Sequence, residues 1–259
     1  MQVSPAEAAA ALVNSWQVLS DGVPGGWARS ESGATAGVTG VASPTLNGVL
    51  VESEDADPAA ITKLLDEIEA TGLPYCLQCR PAMEAALTPV ALARGMIREE
   101  HDVPLMVRDA PGPVVQPGPP RDLFVRELAP QEARIHAEVA AAGFEAPVEH
   151  FLQLMTATML ALPGVRCYLG EVDRVPVTTG LGVREGTSIA VFNIGTPAEH
   201  RRRGYAAAIT ARIVEDGLAD GATWAWLQSS EAGYGIYVSL GFRTSESWPC
   251  WVTTEVPAS

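Results

Sequence analysis

Arg201-Arg202-Arg203-Gly204-Tyr205-Ala206 joins an apolar run typical of a strand, residues 188–196, to a run typical of a helix, residues 206–218. A helix that begins at such a turn has backbone N–H groups without intrahelical partners. The helix dipole adds partial positive charge at the same place, so the turn is suited to an anion. Gly204 allows the backbone to approach a phosphate closely, and the arginines add charge-assisted donors. The stretch therefore predicts a site for a pyrophosphate-bearing cofactor.

The spacing Arg-x-x-Gly-x-Ala of residues 201–206 resembles the Gln/Arg-x-x-Gly-x-Gly/Ala signature of the GNAT superfamily of acyl-CoA-dependent N-acyltransferases. Further along the chain, Tyr237 stands four residues before the pair Gly241-Phe242. This spacing is similar to the second signature of the superfamily. The resemblance covers residues 122–255 well and the earlier half only loosely.

A proline- and glycine-rich segment divides the chain. Residues 109–120 contain five prolines and two glycines, a composition that sustains neither a helix nor a central strand. We place a linker at 113–120, between an N-terminal domain, 1–112, and a C-terminal domain, 121–259. The C-terminal half alternates in the order β-α-α-β-β-β-α-β-α-β, with residues 248–254 expected to close its sheet. The predicted fold class is α/β with a mixed sheet, as tandem GNAT-like domains of which the C-terminal one is complete.

The N-terminal half shows a fainter version of the same order, including a strand at 103–107. The phosphate motif is absent before its helix at Pro58, where an acidic run, residues 52–57, would repel phosphate. This half is therefore interpreted as a degenerate GNAT-like domain without cofactor. A false repeat in a generic α/β chain is the alternative.

The resemblance implies a set of cofactor-binding residues. Pantetheine would pair with the backbone of Ile194, Gly195 and Thr196, in the manner of an added strand. The residues implied for the pyrophosphate are Arg201, Arg202, Arg203, Gly204, Tyr205, Ala206 and Ala207. Without the motif, Gly195 would indicate only a bulge or a strand end, and the arginines an exposed basic cluster. Ser230 is expected to hydrogen-bond the pantetheine arm, to cap a helix, or to do both.

Tyr237 is the residue that the resemblance implies for catalysis. A phenol with a pKa of about 10 is protonated at neutral pH and can protonate a departing thiolate. The alternative is a core tyrosine that packs under Gly241-Phe242. Tyr234, on the same short helix, is the weaker candidate for this role.

The general base is not determined by the sequence. Glu171, Glu185, His150 and a water bound to Asn193 are all candidates, although the two glutamates also fit solvated surface carboxylates. Cys76-Leu-Gln-Cys79 is a lone C-x-x-C in a strand, so core cysteines are favoured over a metal or redox site.

The composition limits the function classes. A net charge of −14 argues against nucleic acid or an anionic membrane as partner, and no secretory leader is recognised, so a cytoplasmic setting is expected. The resemblance implies transfer of an acetyl or short acyl group from acetyl-CoA, or another short acyl-CoA, to an unidentified primary amine, without a metal. The N-terminal domain would shape the acceptor cleft or form a homodimer contact. The alternative function is a non-catalytic acyl-CoA sensor or interaction module.

Overall fold

The structure, a computed structural model, describes residues 2–109, 112, 114, 118 and 120–253. The helices are α1 (Pro5–Asp21), α2 (Pro58–Glu69), α3 (Glu84–Ala93), α4 (Ala133–Phe144), α5 (Val148–Leu154), α6 (Ala157–Leu160), α7 (Tyr205–Ala219) and α8 (Glu231–Ser239). The strands are β1 (Trp27–Glu31), β2 (Ala34–Val38), β3 (Asn47–Val51), β4 (Cys76–Cys79), β5 (Ile97–Arg98), β6 (Val103–Asp109), β7 (Phe124–Glu127), β8 (Val165–Val172), β9 (Val175–Glu185), β10 (Ser188–Gly195), β11 (Trp224–Gln228), β12 (Arg243–Trp248) and β13 (Cys250–Val252). Most of the predicted linker, 113–120, lies outside the described residues.

The chain forms two compact units. Unit 1 comprises residues 1–3 and 106–244, and unit 2 comprises residues 4–105 and 245–259. The seven-stranded sheet has the order β12-β6-β11-β10-β9-β8-β7, and the six-stranded sheet of unit 2 has the order β1-β2-β3-β4-β13-β5. The prediction of an α/β fold with two mixed sheets is confirmed.

Unit 1 has its core on the α7 face of the sheet. Ile209 and Ile213 of α7 are fully buried and belong to one cluster with Ile189 and Val191 of β10. Burial of an aliphatic side chain contributes about 1.5–3 kcal/mol, so this face fixes α7 on the sheet. The helix α4 packs on the opposite face, where a side chain at Gly195 would approach the backbone of Ala140 to 2.9 Å.

Unit 2 has the same alternation of strands and helices. Its helix α1 begins at Ser4, whose hydroxyl accepts from the backbone N–H of Glu7 while the Glu7 carboxylate accepts from the N–H of Ser4. The apolar face of α2, which includes Leu64 and Leu65, packs in the core of this unit. Among the described helices, none is long and apolar enough to span a bilayer.

Two strands pair differently from the sequence-based expectation. The strand β6, expected in the N-terminal sheet, lies between β12 and β11 in the seven-stranded sheet. Residues 250–252, expected to close the C-terminal sheet, pair as β13 with β4 and β5 in unit 2. Both are short apolar runs whose alternation fits either sheet, so their partners are decided by long-range packing. Each compact unit is therefore discontinuous in the sequence.

Candidate functional site

A wedge between two parallel strands is the central feature of unit 1. The strands β10 and β11 pair only from Ser188 with Trp224 to Ala190 with Trp226. Beyond this point β10 continues to Gly195 without pairing to β11. The strand edge that borders the wedge can therefore pair with an extended ligand through main-chain hydrogen bonds.

A bulge shapes the β10 side of the wedge. The register of β10 against β9 shifts between Phe192 and Gly195, and Asn193 adopts the left-handed conformation, with φ of +50°. The side chain of Ile194 packs toward the α7 core, and Thr196 shares a hydrogen bond of 2.9 Å with the hydroxyl of Thr178. The side chains of Ile194 and Thr196 thus make contacts within the protein, so these residues would contact a ligand through their backbone N–H and C=O groups.

Close packing against α4 explains why residue 195 is a glycine. A Cβ at this position would lie 2.9 Å from the Cα of Ala140 in α4. The glycine thus allows α4 to pack closely against β10, on the face of the sheet opposite α7. This observation does not test whether pantetheine also passes along Gly195.

The turn that follows the wedge has two residues in the left-handed region. Arg202 has φ of +65°, and Gly204, the residue before the first turn of α7, has φ of +81°. Tyr205 is buried and donates a hydrogen bond of 3.0 Å to the carboxylate of Asp122, which anchors the start of the helix. Ala206 and Ala207 follow in the first turn and are half-buried. A helix N-terminus that begins at a left-handed glycine thus stands where the phosphate cradle is predicted.

The three arginines differ in what they contact. Arg201 donates to the carbonyl oxygens of Thr196 and Gly143, at 3.1 and 2.9 Å, and lies 2.7 Å from the carboxylate of Glu145. Its guanidinium therefore ties the turn to the end of α4. Arg202 and Arg203 are exposed and form no ion pair within the part of the chain that the structure describes. These two side chains are the ones free to meet an anion.

Tyr237 lies on α8 and Ser230 directly precedes this helix, which follows β11, the other wall of the wedge. Ser230 caps this helix, since its hydroxyl accepts from the N–H of Gly233 at 3.3 Å. A Cβ at Gly233 would come within 3.0 Å of the Tyr237 ring, so the glycine gives that ring its place over the first turn. The ring also meets Phe242 edge-on, with centroids 6.1 Å apart. Burial raises the pKa of Tyr237 to about 12, and its hydroxyl has no partner among the described residues.

Other candidates are engaged elsewhere. The hydroxyl of Tyr234 shares a hydrogen bond of 3.1 Å with that of Thr244. Glu185 lies opposite Ser188 in the β9–β10 register, at the end of β10 away from the wedge, and the Glu171 carboxylate accepts from Arg126 at 3.2 Å. Of the groups considered as a base or as a holder of a basic water, half-buried His150 on α5 and Asn193 on β10 remain.

Comparisons with known proteins agree on the architecture. No family profile and no curated protein matches the sequence. Among solved structures, a GCN5-related N-acetyltransferase from Kribbella flavida is 20% identical, with a TM-score of 0.68 over 100% of this chain and 97% of its own. A second, from Sphaerobacter thermophilus, is 17% identical, with a TM-score of 0.61 over 88% of this chain and 78% of its own. A tandem GNAT protein from the clavulanic acid biosynthesis pathway is 14% identical, with a TM-score of 0.58 over 93% and 89% of the two chains.

The chain has a tandem GNAT fold. The resemblance inferred from two short signatures thus extends over both halves of the sequence, including the half without the phosphate motif.

The GNAT-like unit 2 has no wedge at the corresponding place. Its parallel strands β3 and β4 stay paired to their ends, at Val51 with Cys79. Arg80 then donates its backbone N–H to the carbonyl of Val51, and its guanidinium is held by Glu246 and Glu54 at 2.7 and 2.8 Å. A ligand strand has no free edge to pair with here.

Within the described part of the chain, no group of three or more His, Cys, Asp or Glu side chains is placed to hold a metal ion. The four cysteines are free and buried, and burial raises the pKa of Cys79 to about 12. A thiol with so high a pKa is a poor nucleophile at neutral pH.

His136 is a buried histidine that the sequence does not single out. It lies on α4, fully buried, with Nδ1 2.6 Å from the hydroxyl oxygen of Thr179. That hydroxyl donates to the carbonyl of Tyr168 at 2.8 Å, so His136 is the donor through Nδ1. Its Nε2 is buried without a partner, and burial lowers the pKa of His136 to about 4. No motif surrounds His136 in the sequence, so its burial as a neutral hydrogen-bond donor could not be predicted.

Acid should destabilise the protein through His136. The folded-state pKa of about 4 lies below the ordinary value of 6.5, so the unfolded chain binds the proton more readily. The stability associated with neutral His136 is therefore complete above pH 6.5 and is lost as the pH falls toward 4. We expect unfolding in urea to show a loss of about 2 kcal/mol between pH 7.5 and 5 from this residue. His136→Gln, which cannot titrate, should lack that part of the pH dependence, and an identical slope in both proteins would contradict the prediction.

Proposed function

We propose that unit 1 is an acyltransferase that moves an acetyl or short acyl group from acyl-CoA to a primary amine by direct attack in a ternary complex. The observation that carries the proposal is the β10–β11 wedge, which ends beside a left-handed glycine at a helix N-terminus. An open strand edge suits the extended amide-bearing arm of the cofactor. The helix N-terminus suits its pyrophosphate.

The residues present fit acyl-CoA mainly through backbone groups. The backbone of Ile194, Gly195 and Thr196 would hold the pantetheine arm, and the turn from Arg201 to Ala207 would hold the phosphates. Exposed Arg202 and Arg203 add charge, whereas Arg201 acts by fixing the turn to α4. The hydroxyl of Ser230 would bond to the arm in addition to capping α8. The chemistry supplied by the bound acyl-CoA is an activated thioester.

Tyr237 is proposed as the general acid. Its raised pKa of about 12 keeps the phenol protonated throughout the neutral range, so it holds a proton ready at its oxygen. The unpartnered hydroxyl can donate this proton to the departing sulfur, which is the step where negative charge develops. The amine needs to be neutral to attack, and Asn193 lies at the wedge, where it can hold the water that accepts its proton.

Tyr237→Phe separates an enzyme from a non-catalytic acyl-CoA sensor. We expect kcat to fall about 100-fold, because one acid–base group typically contributes 10²–10⁴-fold. The Kd for acetyl-CoA should stay within about twofold, because the phenyl ring preserves the packing against Phe242. Turnover is measured by thiol release in the presence of an amine acceptor, and affinity by calorimetry.

Tyr234→Phe is the matched control for this test. It removes a hydroxyl from the same helix, but one that is bonded to Thr244. Its turnover should remain that of the unaltered protein. An unchanged rate in Tyr237→Phe would remove the proposed role of that residue, and a chain that binds acetyl-CoA without turning over any amine would favour the sensor.

A further inference from the structure

An aromatic pair spans the wedge on the face opposite α7. Because Ile189 and Val191 point into the α7 core, the alternation of the strand places Phe192 on the other face. The ring of Phe192 meets that of Trp226 edge-on, with centroids 5.4 Å apart. Phe192 lies beyond the last residue that pairs with β11, so this pair bridges the opening between the two strands.

The same face continues as a wall toward α5. The left-handed Asn193 turns its carboxamide to the sulfur of Met155, at a distance of 3.7 Å. Met155 is buried directly after α5. The end of α5 therefore borders the wedge, where the Met155 thioether meets the Asn193 amide of β10.

A second aromatic pair lies next to the phosphate turn. Phe144 and Phe151 stack with centroids 5.6 Å apart and an interplanar angle of 25°, although Phe144 is 50% exposed. The residues on either side of Phe144 both contact Arg201, through the carbonyl of Gly143 and the carboxylate of Glu145. The stack is thus fixed beside the turn, and exposed stacked rings are a surface that an apolar ligand group would cover.

We propose that the acceptor is a primary amine with an aromatic or similarly sized apolar group, of the arylalkylamine class. This inference rests on the proposed function, because the amine has to meet the thioester at the wedge. Phe144, Phe151 and Phe192 would hold the apolar group. Glu145, the carboxylate beside the stack, already pairs with Arg201. A polyamine or an aminosugar would therefore find fewer partners on this wall.

The test compares acceptors under saturating acetyl-CoA, with the full chain. The probes are 2-phenylethylamine, putrescine and glucosamine, and initial rates are followed by thiol release. We expect kcat/KM for 2-phenylethylamine to exceed that for putrescine at least about 10-fold, the order of discrimination that an apolar pocket provides. Phe144→Ala should raise the KM for 2-phenylethylamine about fivefold or more and leave the Kd of acetyl-CoA unchanged.

Phe124→Ala provides the matched control. Phe124 is 64% exposed on β7, at the edge of the same sheet and away from β10 and β11, so its replacement should alter neither constant. A preference for putrescine or glucosamine, or a Phe144→Ala variant that behaves as Phe124→Ala does, would overturn the acceptor class while leaving acyl transfer intact. Absence of acetyl-CoA binding, or of turnover with every amine, would instead overturn the proposed function and this inference with it.

Discussion

Gly204→Glu is expected to abolish acetyl-CoA binding, raising the Kd by at least about 100-fold. Gly204 has φ of +81°, and a residue with a Cβ pays about 1–2 kcal/mol in this region. The larger effect is electrostatic, because a carboxylate would stand at the helix N-terminus where the pyrophosphate is proposed to bind. Isothermal titration calorimetry of the two proteins measures the change. The unaltered chain should bind one acetyl-CoA, since the parallel strands β3 and β4 of unit 2 leave no open edge between them.

Gly186→Glu is the matched control for this substitution. Gly186 also has positive φ, +54°, and a Cβ there would meet nothing within 4 Å. It lies in the turn before β10, at the end of that strand opposite the phosphate turn. The control thus introduces similar backbone strain and the same charge, and its Kd should stay near that of the unaltered chain. Retained affinity in Gly204→Glu, or equal losses in both variants, would count against the cofactor site; a stoichiometry of two would show that unit 2 binds as well.

A fragment of residues 121–259 is expected not to fold. It contains what the sequence suggests as the catalytic domain, but it lacks β6, which lies between β12 and β11. The fragment would therefore leave two sheet edges unpaired, and its β13 would lack β4 and β5. Exposed apolar strand edges favour aggregation. Circular dichroism and urea titration of the purified fragment should show no cooperative transition.

A longer fragment serves as the comparison. Residues 103–248 retain every strand of the seven-stranded sheet and omit β13. We expect this fragment to unfold cooperatively in urea and to give dispersed amide resonances. Cooperative unfolding of 121–259 with a similar midpoint would show that β6 is dispensable and would contradict the prediction.

The phosphate turn is the part of the site that the sequence could predict best. A strand, a glycine and a helix start follow one another within a few residues, so local propensity and spacing are sufficient. The wedge, in contrast, depends on where the pairing of β10 with β11 stops, which is a non-local property. The exchange of β6 and β13 was missed for the same reason, because a short apolar strand does not specify its neighbour in the sheet.

Neighbouring residues of the same type in the site differ in their contacts, which the motifs do not show. Arg201 and Arg202 are adjacent residues of the same type, yet only Arg201 forms a hydrogen bond to α4. Tyr237 and Tyr234 share a helix, and they differ because Gly233 makes room for one ring while Thr244 binds the hydroxyl of the other. Neither distinction leaves a trace in residue type or spacing.

The position of β13 has a consequence for biosynthesis. The backbone N–H of Tyr75 bonds to the hydroxyl of Thr253, 178 residues further along the chain. While the second half of the chain is being synthesised, β4 can pair with β3 but not yet with β13. The six-stranded sheet is therefore incomplete during this time. Such long-range pairing slows folding, because the closure of a large loop precedes the contacts that stabilise it. Emergence of residues 250–253 from the ribosome would thus be the event that completes the six-stranded sheet.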